Sequence, residues 1–236
     1  MQIKPNEIHI WTADLETASF QENIPSMLSE DERERAFRFQ FPIHRQRFIA
    51  GRCLLRTIIS LYTQVPPPQI IFSYEDKKKP SLKFPSPSSL QFNVSHSGQM
   101  AVYAFTLNHA IGVDIEKVQT DYHQGVAHRF FSPQENHALL QAPLHKRPTL
   151  FYRIWARKEA IVKAIGKGLS MHLPSFSVSV NNDFEVVMID NGNWFLLPLT
   201  MHQAYQSAVA TNQRVKKVSY WKFIDQIPAL DKVEDF

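Results

Sequence analysis

The sequence predicts an α+β protein made of two similar helix-plus-sheet halves. Three observations carry this. A long helical pattern that leads into short alternating strands occurs twice: IAGRCLLRTIIS runs into QIIFSY, and WARKEAIVKAIG runs into SFSVSV. QMAVYAF after the first round is answered by QSAVAT after the second. The chain of 236 residues, 44% hydrophobic, is long enough to bury a core as one large domain or two small ones. The join is expected near residue 111, giving an N-terminal half 1–111 and a C-terminal half 112–236. The cleft between two such halves is a preferred ligand site.

The elements come in this order. Glu7–Ala13 reads as a strand. Ser29 is a helix N-cap followed by Glu30, Asp31 and Glu32, acids that suit the positive end of a helix dipole. Pro42 is expected to break or kink the segment after it. A helix over about Arg45–Tyr62 carries Phe48, Cys53, Leu55, Ile58 and Ile59, and Pro66–Pro68 ends that unit. Strands are expected at Gln69–Tyr74, Gln91–Ser95, Met100–Thr106 and Ile111–Lys117, with a basic, proline-rich loop at Lys77–Pro87. Gln119–Gln141 holds two short helices around RFFSPQE, the second started by Ser132 and Pro133. A helix spans about Pro148–Ile165. Strands are expected near Phe176–Val180, Glu185–Ile189, Trp194–Leu199, Gln206–Thr211 and Lys217–Lys222.

Composition narrows the class. No apolar run approaches a membrane span, and the N-terminus alternates rather than forming a signal-peptide block. The single cysteine, Cys53, sits among Leu54, Leu55 and Ile58, so it reads as a small buried hydrophobe in a reducing compartment. The expected location is the cytoplasm, and the expected state is a monomer. A net charge of +4 suits an anionic small molecule, an acidic protein or nucleic acid without choosing among them.

Two segments carry chemistry. In FYRIWARKEAIVKAIGKGL, Ile154, Trp155, Ile161, Val162 and Ile165 form one apolar arc of a helix. Lys158 falls inside the arc, Glu159 at its edge, and Lys163 one turn further on. Unpaired buried charge is costly, so these groups need partners; the alternative is a solvated face with snorkelling lysines. Gly166 and Gly168 release the chain beyond the helix. In IGVDIE, Asp114 and Glu116 share one face of a strand, with Ile115 turned to the core. Two such carboxylates repel unless a cation lies between them, and Mg²⁺ favours oxygen ligands and phosphates.

With these residues in view, the chain resembles the 4′-phosphopantetheinyl transferases. IGVDIE and WARKEAIVKAIGKGL fill the family pattern G-(I/V)-D-(I/V)-E followed by W-x-x-K-E-(S/A)-x-x-K-x-x-G-x-G-L. FNVSHSG at Phe92–Gly98 resembles the family's F-N-(I/V)-S-H-S-G, and GRCLLR at Gly51–Arg56 is a weaker match. The resemblance covers roughly residues 29–181, and the length fits the single-chain, surfactin-synthetase-activating type, two similar halves in pseudo-twofold arrangement with the active site between them.

The resemblance implies transfer of the phosphopantetheine arm of coenzyme A to a serine of an acyl or peptidyl carrier protein. It implies that Asp114, Glu116 and Glu159 hold Mg²⁺, with Mn²⁺ an alternative, and that Lys163 meets a phosphate. Glu159 is the first choice for the base, with Glu116 its rival. Ser95 and His96 would touch the nucleotide, Arg35, Arg47 and Lys79 the 3′-phosphate, and Lys158 is counted among the cofactor contacts. Two positions depart from the family: Lys78 stands where a glycine is frequent, and Glu32 where a basic residue can occur. An acidic carrier is expected to dock near Gln119–Gln141, with Arg129, Phe130 and Phe131 as contacts or the two rings as core. Neither nucleic acid nor membrane is expected as a partner. A module that binds coenzyme A without turnover is disfavoured, since all three acids and Lys163 are present. A nucleic-acid binder is disfavoured too, since the basic and aromatic residues do not interleave.

Overall fold

In the computed structural model, which describes residues 1–17, 24–74, 79–86, 89–181, 183–201, 203–224 and 227–236, two sheets carry the chain. The first half supplies β1 (Glu7–Asp14), α1 (Ile24–Met27), α2 (Glu30–Phe37), α3 (Pro42–Thr63), a small hairpin of β2 (Ile71–Ser73) and β3 (Ser81–Phe84), β4 (Leu90–Ser97) and β5 (Met100–Leu107). The second supplies β6 (Ile111–Lys117), α4 (Gln124–Phe130), α5 (Pro133–Gln141), α6 (Arg147–Ile165), β7 (Glu185–Ile189), β8 (Gly192–Pro198), β9 (Tyr205–Thr211), β10 (Lys217–Ile224) and β11 (Ile227–Asp235). One sheet has the order β11-β10-β1-β5-β4, the other β6-β9-β8-β7.

The layers are set by which face of each strand is apolar. Ile8, Ile10 and Val102 of the first sheet meet Val113, Ile115 and Val209 of the second, so the sheets face each other across one core. α3 covers the outer face of the first sheet through Leu54, Leu55, Ile58 and Ile59 against Trp11, Tyr103 and Phe105. α6 covers the second through Ile154, Ala160 and Ile161 against Leu196, Ala208 and Ala210. The result is helix, sheet, sheet, helix. β1 is buried on both faces because both are covered, which is why Ile8–Trp11 is buried throughout, His9 included through its bond to Tyr62 at 2.7 Å.

Several expectations change. Pro42 does not break a helix. It is the first residue of α3, where its missing N–H costs nothing. Part of the expected Lys77–Pro87 loop is strand, Ser81–Phe84, while Lys77, Lys78 and Pro87 lie outside the described residues. No strand forms at Phe176–Val180, because its N–H groups find side chains instead of a neighbouring strand: Val178 N–H donates to Glu135 at 2.7 Å and Ser179 N–H to Glu185 at 2.8 Å. The sheets do not divide at residue 111 either. β10 pairs parallel with β1, Ile8 beside Val218, and β11 pairs with β10, so the end of the chain covers an edge that the first half alone would leave open.

Candidate active site

β6 and α6 approach more closely than side chains ordinarily allow. A Cβ on Gly112 would lie 2.1 Å from the Ala160 carbonyl oxygen and 2.3 Å from the Ala164 nitrogen. Only glycine lets the strand pass there, and the passage sets Asp114, two residues on, under Lys163. Gly112, Asp114 and Glu116 share the α6 side of β6, while Val113 and Ile115 point into the core between the sheets.

Asp114 is 3% exposed. Its Oδ1 accepts from Lys163 Nζ at 2.6 Å and from Ser95 Oγ at 2.8 Å, and Lys163 also donates to Ser95 at 2.9 Å. Asp114 Oδ2 and Glu159 Oε1 are buried without any hydrogen-bond partner. Burial pushes the Asp114 carboxyl up against the opposing pull of Lys163. Burial and the neighbouring Asp114 push Glu159 up as well, and raise Glu116 to about 7. Glu116 Oε2 accepts from Ser97 Oγ at 3.1 Å. Three acids thus crowd one side of β6 and α6 with Lys163 as their nearby cation. Among the described residues no trio of His, Cys, Asp or Glu is already gathered tightly enough to hold a metal ion. The orphaned oxygens of Asp114 and Glu159 nevertheless fit a hard cation, since buried polar atoms of this kind ordinarily have partners.

The other expected residues divide. His96 projects from β4 and is exposed at the surface. Partial burial of its ring lowers its pKa, and the charges of Lys163 and Arg47 lower it further against the opposing pull of Asp114. Arg47 is ion-paired with Glu16, its Nε donating at 3.1 Å. Arg35 is exposed and stacks over Phe48 at 5.2 Å. Lys79 donates to the Ile111 carbonyl at the start of β6, and burial lowers its pKa to about 8. Lys158 is a correction. It is fully buried, pairs with Glu135 at 3.0 Å, and donates to the carbonyls of Leu173 at 3.0 Å and Phe176 at 2.7 Å. All three of its protons are committed, so it has none for a cofactor. Glu32 is likewise internal, between Arg52 at 2.7 Å and Arg56 at 2.8 Å. Lys78 lies outside the described residues. Phe131 is core, 2% exposed, and half-buried Phe130 packs edge-on against Trp155, leaving Arg129 over the Phe130 ring.

Sequence reasoning missed Ser97 and the role of Gly112. The signal for Ser97 was available: S-x-S on one strand and D-x-E on another repeat with the same period of two, as facing partners must.

Buried carboxylates with unpartnered oxygens held beside a lysine are the chemistry of a site that handles a phosphorylated substrate beside a cation. The comparisons narrow this. Residues 110–213 match the family model of the 4′-phosphopantetheinyl transferase superfamily, and residues 11–108 match 4′-phosphopantetheinyl transferase, N-terminal. The 4′-phosphopantetheinyl transferase HetI of Nostoc sp. is 35% identical over 222 residues, 92% of this chain and 93% of that one. The 4′-phosphopantetheinyl transferase psf-1 of Bacillus pumilus is 33% identical, covering 81% and 82%, and Sfp of Bacillus subtilis 36%, covering 70% and 72%. The chain belongs to the 4′-phosphopantetheinyl transferase superfamily.

Proposed function

We propose that this chain transfers the 4′-phosphopantetheine arm of coenzyme A to a serine of an apo acyl or peptidyl carrier protein, releasing adenosine 3′,5′-bisphosphate. The serine oxygen forms a bond to the β-phosphorus. The bond from that phosphorus to the bridging oxygen breaks, and the leaving bisphosphate takes its electrons. The serine proton passes to a carboxylate. The observation that carries this reading is the pair of unpartnered buried oxygens on Asp114 and Glu159 beside Lys163.

Each residue has a role in that step. Lys163, already a donor to Asp114 and Ser95, offers a fixed positive charge to the pyrophosphate. His96, Arg47, Arg35 and Lys79 are assigned to the nucleotide's phosphates, which their basic side chains suit; Lys79 is tied to the Ile111 carbonyl at the start of β6 and Arg35 is exposed over Phe48. Glu159 is our assignment for the base, because its unpartnered oxygen can accept a proton and burial raises its proton affinity. Glu116 keeps the same capacity. Asp114, Glu116 and Glu159 would hold Mg²⁺ or Mn²⁺, which would neutralise charge on the pyrophosphate. Ser95 of the first half meets Asp114 and Lys163 of the second within one chain, which supports a monomer. No helix among the described residues is long and apolar enough to cross a membrane, and buried, unpaired Cys53 suits a reducing cytoplasm.

The experiment is intact mass of a panel of apo carriers after incubation with enzyme, coenzyme A and Mg²⁺. The expected result is a gain of one phosphopantetheine on at least one carrier. Coenzyme A binding with no mass gain on any carrier would reduce the chain to a binding module.

A further inference from the structure

β4 and β6 belong to different sheets, yet they run side by side and are joined by side chains. Asn93 Oδ1 accepts from Val113 N–H at 2.8 Å. Ser95 Oγ donates to Asp114 at 2.8 Å. Ser97 Oγ accepts from Lys117 N–H at 3.0 Å and lies 3.1 Å from Glu116 Oε2. The direction of the last bond is dictated by chemistry. The Lys117 amide can only donate, so the Ser97 oxygen accepts from it, and the hydroxyl proton is left for Glu116. Ser95 works the same way. It accepts from the Lys163 ammonium, which can only donate, and gives its own proton to Asp114. Two serines on one strand therefore serve two acids on the other, each binding one carboxylate oxygen. Among the described residues Asp114 Oδ2 is left without a partner, and Glu116 is held at Oε2.

We propose that Ser97 is a positioning residue for Glu116: it ties down Oε2 so that Oε1 is presented to a cation shared with Asp114 and Glu159. Its own placement is rigid. Ser97 ends β4 opposite Met100, across the Gly98-Gln99 turn, and Gly98 holds φ at 59° in the left-handed region. A hydroxyl fixed by the backbone on one side and a carboxylate on the other selects one rotamer of a long, otherwise free side chain. Hydrogen-bond partners behind a metal ligand typically carry about tenfold or more in metal affinity. The inference rests on the proposed cation site, and the test separates the two.

The test is Mn²⁺ binding followed by electron paramagnetic resonance, with coenzyme A present and no carrier. Ser97→Thr and Ser97→Val have the same shape and differ in the hydroxyl, so their comparison cancels packing. Thr is expected to bind Mn²⁺ as the wild type does. Val is expected to bind about tenfold more weakly at an unchanged melting temperature. Equal Mn²⁺ affinity in the Thr and Val variants overturns the role of Ser97 while leaving the cation site standing. A wild type that binds no Mn²⁺ overturns both.

Discussion

The two halves repeat one device and differ in what is built beside it. In the first, the Ser29 amide donates to Glu32 at 3.1 Å at the start of α2. Glu32 pairs with Arg56 of α3, which donates to the carbonyls of Pro67 at 2.9 Å and Ile70 at 2.8 Å and lies over Phe72. In the second, the Ser132 amide donates to Glu135 at 2.7 Å at the start of α5. Glu135 pairs with Lys158 of α6, which donates to Leu173 and Phe176 and lies over the Phe176 ring. Each time a buried glutamate and a buried cation of the long helix lock together a short helix, a long helix and a 3₁₀ turn, with Arg52 a second partner of Glu32 in the first half. Setting Lys158 over Arg56 places Glu159 opposite Thr57 and Lys163 opposite Leu61. The frame is duplicated and the reactive groups are not. Charge buried at 0–2% exposure is therefore structural in both halves, and carboxylates left with unpartnered buried oxygens, Asp114 and Glu159, lie on β6 and α6 of the second half.

Removing one partner of a buried ion pair is the harshest way to test the shared frame. Glu135→Gln strands Lys158 and Glu32→Gln strands Arg56, and each should cost about 3–5 kcal/mol of stability. Denaturant unfolding should show it, with turnover per folded molecule kept. If either variant unfolds at the wild-type midpoint, that half does not depend on its pair.

Glu159→Gln should do the reverse. Turnover should fall by at least about 10²-fold, with the melting temperature at or above that of the wild type, because an unpartnered buried acid is replaced. Steady-state kinetics at saturating Mg²⁺ beside thermal melting would separate the two outcomes. A stable variant with wild-type turnover would erase the functional difference drawn here between α6 and α3.

How much of this was readable in the sequence depends on where the partner lies. The acids of IGVDIE and their shared face follow from a period of two within six residues, and the glycine stop of α6 from Gly166, which stands at φ 79°, after the helical pattern. Lys158 was misassigned because a helical wheel shows that a charge is buried but not what meets it. Its partner Glu135 comes from another helix, and its carbonyls lie beyond the end of its own. The same distance hid the fate of Phe176–Val180, whose amides are satisfied by Glu135 and Glu185 rather than by a strand. β11 was missed because its pairing with β10 depends on β1 first recruiting β10 from across the chain.

The acid cluster should also make the metal-free protein pH-sensitive on one side only. Glu116 has its pKa raised from 4.5 to about 7, chiefly by burial and then by Asp114. The fold holds that proton more tightly than the unfolded chain does. Its contribution is therefore complete below about pH 4.5 and is lost as pH rises toward 7. Chelated protein should lose melting temperature across that window, and Glu116→Gln should flatten the loss. Mg²⁺ should restore stability at pH 7. The N-terminal pair of Glu32 with Arg56 predicts no such metal response, so a Glu32→Gln protein should still show it. A chelated wild type that melts independently of pH between 4.5 and 7 would remove this electrostatic account.

The smallest effect concerns the surface. α1 precedes Leu28-Ser29 as α4 precedes Phe131-Ser132, so Ser26 and Met27 correspond to Arg129 and Phe130. Since Phe131 is core and Phe130 is partly covered by Trp155, the exposed contribution of Arg129–Phe131 is mainly the Arg129 charge. We therefore expect an acidic carrier to be steered by Arg129, an interaction screened over roughly 10 Å at 0.1 M salt. Arg129→Glu should raise the carrier KM several-fold, leave the coenzyme A KM unchanged, and blunt the salt dependence that the wild type shows. Ser26→Glu, the matching change on the other half, should do none of this. If both substitutions raise the carrier KM equally, the carrier senses net charge rather than a face of the second half. If neither does, docking is apolar and lies elsewhere.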